Sequence, residues 1–159
     1  MRYRLANLIA LGSALACLTG GLAVAQDKPA DNMDVLREKL RADKKAVVAE
    51  VLQLTEGEAK AFWPVYNAYQ SDMVTHYDRL LKLLDTYASS YETMTDAQAT
   101  SILQQYLGLE RDHVAILTSY LPRFQKVLPP KKVAKLYQVE NKARALVNYE
   151  LARGIPLVK

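Results

Sequence analysis

The sequence predicts an all-helical protein. Glycine and proline, the residues that interrupt helices most strongly, are sparse between Asp31 and Arg153. No stretch bounded by turn residues alternates apolar and polar residues as a half-buried strand would. Apolar residues instead recur three or four positions apart over long segments, which is typical of amphipathic helices.

The first 25 residues are expected to be a cleaved signal peptide. Arg2 and Arg4 form a basic start, Leu5 to Leu18 is an apolar stretch, and Ala23-Val24-Ala25 is a small-residue cleavage signal before Gln26. We therefore expect export and a periplasmic location. Lipid attachment at Cys17 is a less favoured alternative, because apolar sequence continues past it to the cleavage signal.

The exported chain is predicted to be a single domain, residues 26–159. Cleavage leaves 134 residues, with 19 basic and 17 acidic side chains and a net charge of +2. This length is enough for one hydrophobic core. The balanced charge does not favour nucleic-acid binding, and without Cys17 the exported chain has no thiol.

Four helices are predicted, at about Asp31 to Gln53, Thr55 to Tyr91, Asp96 to Val127 and Pro130 to Arg153. The second and third helices begin with capping boxes, which are formed by Thr55 with Glu58 and by Thr95 with Gln98. The expected inward positions of the first and fourth helices are Leu36, Leu40, Val47, Val51, Leu54, Val133, Leu136, Ala143, Val147 and Leu151.

The two middle helices are expected to fold back on each other as a long antiparallel hairpin. Its predicted opposed pairs are Phe62 with Val127, Tyr66 with Phe124, Tyr69 with Tyr120, Met73 with Ile116, His76 with His113, Leu80 with Leu109, and Tyr87 with Ile102; Tyr106 belongs to the same inward set. A helix from Thr55 to Tyr91 is about 55 Å long, so the protomer should be elongated. An elongated helical protein either dimerises or keeps a partly apolar face for partners.

Catalytic motifs are absent from the sequence. It has no serine, histidine and aspartate motif, glycine-rich phosphate loop or metalloprotease helix, so we expect neither an enzyme nor a cofactor. His76 and His113, with Asp72 or Glu110, could bind a Zn²⁺ ion. We favour the alternative that the two histidines form a polar layer between the helices.

A short motif links the chain to a known family. Leu54-Thr55-x-x-Glu58, which follows a short first helix in an exported all-helical chain, resembles the LTxxQ family of bacterial periplasmic proteins, the Spy/CpxP-like group. Glu58 replaces the glutamine of the family pattern. The second family box falls at Leu128, followed by two prolines, and keeps only the leucine and one proline.

The resemblance implies a four-helix protomer that pairs antiparallel into a curved homodimer. It also implies an ATP-independent, stress-response chaperone that binds partly unfolded envelope proteins through an amphipathic helical surface. The alternative that it implies is an accessory protein that senses metal or envelope stress and docks on a membrane sensor protein.

Basic residues on the fourth helix are candidates for such a surface. These are Lys131, Lys132, Lys135 and Arg144, which are expected to point outward. They form either an ordinary solvated face or a surface that contacts unfolded chains.

Overall fold

The computed structural model describes residues 43–158, and this range is all-helical, as predicted. It contains four helices and no strand: α1 (43–52), α2 (Glu56–Ser90), α3 (Asp96–Gln125) and α4 (Pro130–Gly154). The predicted signal peptide and the first part of the predicted first helix lie outside the described residues. The third helix ends two residues before Val127, and the amide N–H groups of Val127 and Leu128 both donate to the Phe124 carbonyl.

Local chemistry defines the starts of both long helices. The Thr55 hydroxyl accepts from the Glu58 amide at 3.3 Å, and the Glu58 carboxylate accepts from the Thr55 amide at 2.8 Å. Thr95 and Gln98 repeat this exchange at 3.3 and 2.9 Å. Each box satisfies two backbone donors that a helix start would otherwise leave without partners.

The chain packs as two compact units, of which the larger contains residues 54–138 and 155–158. In this unit α2 and α3 contact each other through aromatic and histidine rings. Ring centroids are 5.4 Å apart for Tyr69 and Tyr120 and for His76 and His113, two of the pairs expected from the sequence. Residue numbers rise along α2 while those of the contacted residues fall along α3.

An aromatic core lies where the start of α2 meets the end of α3. Its most deeply buried members are Phe62, Tyr66, Tyr69, Tyr120 and Phe124. The Phe62 and Phe124 centroids are 5.9 Å apart, so Phe62 packs against Phe124, which was expected opposite Tyr66. Burying each such side chain stabilises the fold by about 1.5–3 kcal/mol.

The first part of α4 closes this core. The Tyr137 ring lies 6.3 Å from that of Phe124, and its hydroxyl donates to the Leu117 carbonyl at 2.7 Å. The segment after α4 also belongs to this unit, because the Tyr87 hydroxyl donates to the Pro156 carbonyl at 2.6 Å.

The smaller unit contains residues 43–53 and 139–154, and it corrects the predicted inward face of the first helix. Val48 and Leu52 are buried, whereas Val47 and Val51 are exposed. Lys44, Val48 and Leu52 are four residues apart and therefore share a face. Turning this face inward buries two apolar side chains and brings the Lys44 ammonium within 2.7 Å of the buried Glu140 carboxylate.

The fourth helix requires a similar correction. Val147 was expected to point inward but is 47% exposed, and its neighbours Leu146 and Tyr149 are more exposed still. Leu146 and Val147 are both apolar and neither faces the core, so hydropathy alone did not identify the exposed part of this helix.

Candidate binding surface

The motif residues at the start of α2 connect this helix to the start of α4. Glu58, besides capping α2, accepts a hydrogen bond at 2.6 Å from the Lys132 ammonium in the first turn of α4. Leu128, just before α4, is buried, and Leu54 is half-buried. The hydrogen bond from Lys132 and that from the Thr55 amide lower the pKa of Glu58. The motif thus ties the start of α2 to the start of α4.

Thr95 and Gln98 form an exposed cap at the start of α3. The Gln98 side-chain oxygen accepts from both the amide and the hydroxyl of Thr95, at 2.9 and 3.0 Å. These bonds give both residues a structural role as the cap that starts α3.

A polar layer of three residue pairs connects α2 and α3. His76 and His113 lie at its centre and are both buried. On one side the Tyr120 hydroxyl donates to the Asp72 carboxylate at 2.7 Å, and on the other the Arg79 guanidinium bonds Asp112 at 2.6 Å. Burial raises the pKa of Tyr120, and the hydrogen bond to Asp72 raises it further. The histidine pair is buried, whereas the Arg79–Asp112 ion pair is exposed to solvent, so the histidine pair is the part of this layer that favours one helix register over others.

The candidate metal ligands are only partly brought together. His76 and His113 meet, but the Asp72 carboxylate is bonded to Tyr120, and Glu110 is half-buried one turn before His113. Across residues 43–158, no three histidine, cysteine, aspartate or glutamate side chains are grouped so that they could hold a metal ion.

The four basic candidates occupy different environments. Lys131 and Lys135 are exposed near the start of α4, as expected of outward-facing residues. Lys132 is engaged with Glu58, and Arg144 is half-buried. Lys132 therefore has a structural role that the sequence did not indicate.

An exposed apolar row on α3 was not recognised from the sequence. It consists of Leu103, Leu107, Val114 and Leu121, and these side chains are between 37% and 58% exposed. The seven-residue repeat of Leu107, Val114 and Leu121 could have revealed this row. It was overlooked because the residues predicted to point inward on the same helix already explained its apolar periodicity. Tyr106, expected to point inward, is also exposed, at 44%.

Charge is scarce around the α3 apolar row. The helix has only five charged residues in 30, and none lies between positions 97 and 109 or between 113 and 122. Exposed helix faces of globular proteins usually carry charged and polar residues. A low-charge face with exposed leucine, valine and tyrosine is instead typical of a surface that contacts another protein.

Two clefts between α2 and α3 are less suited to a ligand. One, of about 530 Å³, is lined by Ile102 and by short polar side chains such as Ser89 and Gln105. The other, of about 240 Å³, lies beside the polar layer. Small-molecule sites are usually about 300–1,000 Å³ and lined mainly by apolar and aromatic side chains.

Comparisons of the chain with protein-family models, with curated proteins and with solved structures found no match. In the described part of the chain, no helix combines the length and apolar content that crossing a membrane requires. The functional interpretation therefore depends on the surface of the molecule itself.

Proposed function

We propose that this protein is a periplasmic, ATP-independent chaperone that binds partly unfolded envelope proteins through exposed helical surfaces. The observation that carries the proposal is the α3 apolar row, which leaves four large aliphatic side chains open to solvent. Unfolded chains expose apolar segments, and their burial against such a row is favourable at about 25 cal/mol per Å².

The surroundings of the row suit contact with many sequences. Tyr106 adds a rigid ring with a polar tip, and the scarcity of charge avoids strong repulsion of either acidic or basic segments. Lys131 and Lys135, exposed near the start of α4, can hold acidic side chains of a bound chain. The elongated hairpin and the curved antiparallel homodimer implied by the family resemblance belong to the same proposal.

The alternative, a metal-sensing accessory on a membrane sensor protein, has less support. Among residues 43–158 its candidate ligands are not grouped as a metal site requires: His76 and His113 meet, but the Asp72 carboxylate accepts a hydrogen bond from Tyr120.

The chaperone proposal is tested by light scattering from heat-unfolded citrate synthase. The exported chain should suppress aggregation at a few-fold molar excess, and the double variant Leu107→Gln/Val114→Gln should suppress it much less. Val74→Gln, at a valine exposed to a similar degree to Leu121 but on α2, is the matched control and should behave as the parent. Absence of suppression by the parent chain would refute the proposal.

A further inference from the structure

The α3 apolar row lies between two parts of the chain that have opposite charges. Residues 83–109 contain three acidic residues and no basic one, whereas residues 113–139 contain five basic residues and no acidic one. Leu103, at one end of the row, belongs to the acidic part, and Leu121, at the other end, belongs to the basic part. These two ends are about 27 Å apart along the helix.

Two carboxylates lie at the Leu103 end of the row. Asp96, in the first turn of α3, is exposed and precedes Leu103 by seven residues, which is close to two helical turns. It therefore lies on the same face of α3 as the row. Asp85, which is exposed on α2, lines the cleft between α2 and α3 together with Ile102, the neighbour of Leu103. A segment bound along the row thus meets negative charge at this end.

Three exposed lysines lie at the Leu121 end of the row. Lys126 follows the last residue of α3. Lys131 and Lys135 are one turn apart near the start of α4. This part of α4 packs beside α3, because the Tyr137 hydroxyl donates to the Leu117 carbonyl at 2.7 Å. A segment bound along the row thus meets positive charge at this end.

The other charged residues near the row have contacts within the chain or are balanced by a neighbour. The polarity of the row therefore depends on the two aspartates at one end and the three lysines at the other. The remaining charges are Lys132 bonded to Glu58, Arg123 at 4.6 Å from the Tyr120 ring, Asp112 bonded to Arg79, and the adjacent, oppositely charged Glu110 and Arg111, of which Glu110 interacts within the chain.

Charge complementarity selects the kind of segment that fits this row. An extended chain advances about 3.3 Å per residue, so about eight apolar or neutral residues cover the 27 Å between the ends. Basic residues before or after these would face the aspartates, and acidic residues at the opposite end would face the lysines. A segment with the same charge at both ends would meet a like charge at one end of the row, which is unfavourable.

We infer that the α3 apolar row binds bipolar segments of unfolded proteins, with the acidic end of the segment at the start of α4 and its basic end at the start of α3. This inference rests on the proposed function and names the class of client segment. Orientation follows the charges of the segment and not its chain direction, because the row consists of side chains and offers no backbone hydrogen bonds to a client.

Peptide binding, measured by fluorescence anisotropy at low ionic strength, tests the preference for bipolar segments. The probes are synthetic peptides with a common apolar centre and different ends: lysine at one end and glutamate at the other, glutamate at both, lysine at both, or glutamine at both. The bipolar peptide should bind at least about tenfold more tightly than either like-charged peptide. Added salt should reduce this difference, because the charges lie at the surface.

Charge reversal at each end identifies the residues responsible. Lys131→Glu/Lys135→Glu should weaken binding of the bipolar peptide about tenfold and strengthen binding of the peptide with lysine at both ends. Asp85→Lys/Asp96→Lys should likewise weaken the bipolar peptide and strengthen the peptide with glutamate at both ends. The glutamine-ended peptide is the matched control, since its Kd should be the same for the parent and both variants. Far-ultraviolet circular dichroism would verify that each variant is folded.

Photo-cross-linking tests the orientation. A benzophenone beside the glutamates of the bipolar peptide should cross-link near Leu121, and one beside its lysines should cross-link near Leu103, as mapped by mass spectrometry. The peptide with the reversed sequence should give the same result, because its charges and not its chain direction decide how it lies.

The outcomes separate this inference from the proposed function. Tighter binding of the bipolar peptide in the stated orientation supports the inference, even if the chain fails to suppress aggregation and the chaperone proposal is refuted. Equal binding of all the peptides overturns the inference even if aggregation is suppressed. It is also overturned if no peptide binds, or if the cross-linked positions do not depend on which end carries the benzophenone.

Discussion

Glu58 shows how one side chain can serve two structural roles. It accepts from the Thr55 amide within its own helix and from Lys132, 74 residues further along the chain. The first contact is a local cap, whereas the second joins two helices. A carboxylate performs both because it offers two oxygens and a charge.

The lowered pKa of Glu58 predicts a specific acid sensitivity. Because the folded-state value lies below the ordinary 4.5, its contribution to stability is present above about pH 4.5 and is lost as the pH falls through the lowered value. Glu58→Gln keeps an acceptor for the cap but loses the charge, so its melting temperature should fall less on acidification than that of the parent. Thermal unfolding between pH 6 and pH 3, which is about the range that carboxylates titrate, measures this difference.

The control for Glu58 is Glu56→Gln, at the other acidic residue of the first turn of α2. Its melting curve should follow that of the parent across the same pH range. Equal acid sensitivity of Glu58→Gln and the parent would contradict the assigned role of the Lys132 contact.

The Tyr120 hydroxyl is predicted to stabilise the fold through its hydrogen bond to Asp72. Tyr120→Phe keeps the ring contacts with Tyr69 and Phe124 but removes the hydroxyl that donates to Asp72. We expect a loss of about 1 kcal/mol in the free energy of unfolding at neutral pH, the usual contribution of one hydrogen bond. Denaturant titration measures it, with the exposed Tyr149→Phe as the control.

The pKa of Tyr120 is raised above its ordinary value of 10.0 in the folded state. Its contribution to stability is therefore complete below pH 10 and is lost as the pH rises through the raised value. The difference in stability between the parent and Tyr120→Phe should narrow above pH 10. If the difference in the free energy of unfolding stayed constant up to strongly alkaline pH, ionisation of the Tyr120 hydroxyl would not be linked to stability as described.

At the scale of the element, α3 carries two apolar faces with different roles. Leu109 is buried, whereas Leu107, two residues earlier, belongs to the exposed row. Leu109→Ala should lower the free energy of unfolding by about 3 kcal/mol, because it opens a cavity in a packed interior. Leu107→Ala should change it by only about 0.5 kcal/mol, as expected of a surface site.

This pair is its own matched control, since the same truncation is made two positions apart in one helix. Urea unfolding of both variants, at concentrations where the chain is monomeric, measures the contrast. Equal losses at the two positions would mean that the row is part of the core and would remove the basis of the proposed binding surface.

The helix α2 continues through an internal proline, Pro64, which is exposed. Alanine at this position restores a backbone donor and removes the penalty of about 3 kcal/mol that a proline inside a helix imposes. Alanine also gives the unfolded chain more conformational freedom, which lowers stability by about 1 kcal/mol. Pro64→Ala should therefore stabilise the protein by about 2 kcal/mol. The bend that Pro64 is expected to cause stays a prediction.

Pro130→Ala is the control for this substitution. Pro130 is the first residue of α4, where a proline fits because the helix start has no internal acceptor for its amide. Its replacement should leave the melting temperature nearly unchanged. A loss of stability on Pro64→Ala would indicate that the fold depends on the local geometry imposed by the proline.

At the scale of the whole molecule, the predicted export is open to a direct test. Expressed with its first 25 residues in a bacterial host, the chain should be recovered from the periplasm with Gln26 as its first residue. Mass spectrometry of the purified protein reads this end directly. Ala25→Asp should block processing, because the cleavage site requires small residues.

Cys17→Ser separates the two export hypotheses. It should leave processing at Gln26 unchanged if the segment is an ordinary signal peptide. An acylated mature chain beginning at Cys17, abolished by this substitution, would establish the lipoprotein alternative instead.

The sequence determined those features that arise from neighbouring residues. The all-helical character follows from the scarcity of glycine and proline and from apolar periodicity. The two capping boxes follow from side chains three residues apart. The pairing of His76 with His113 could be predicted because two long helices with periodic apolar residues can align in only a few registers.

The tertiary structure decided which of several adjacent apolar positions are buried. Val47 and Val48, or Leu107 and Leu109, have similar hydrophobicity, so the inward face depends on what the rest of the chain presents. Lys44 bonds the buried Glu140 on the inward face of α1, and Lys132 is half-buried in its ion pair with Glu58. Local periodicity specifies that a helix forms and roughly where it ends, whereas the burial of one face over another depends on contacts between residues far apart in the chain.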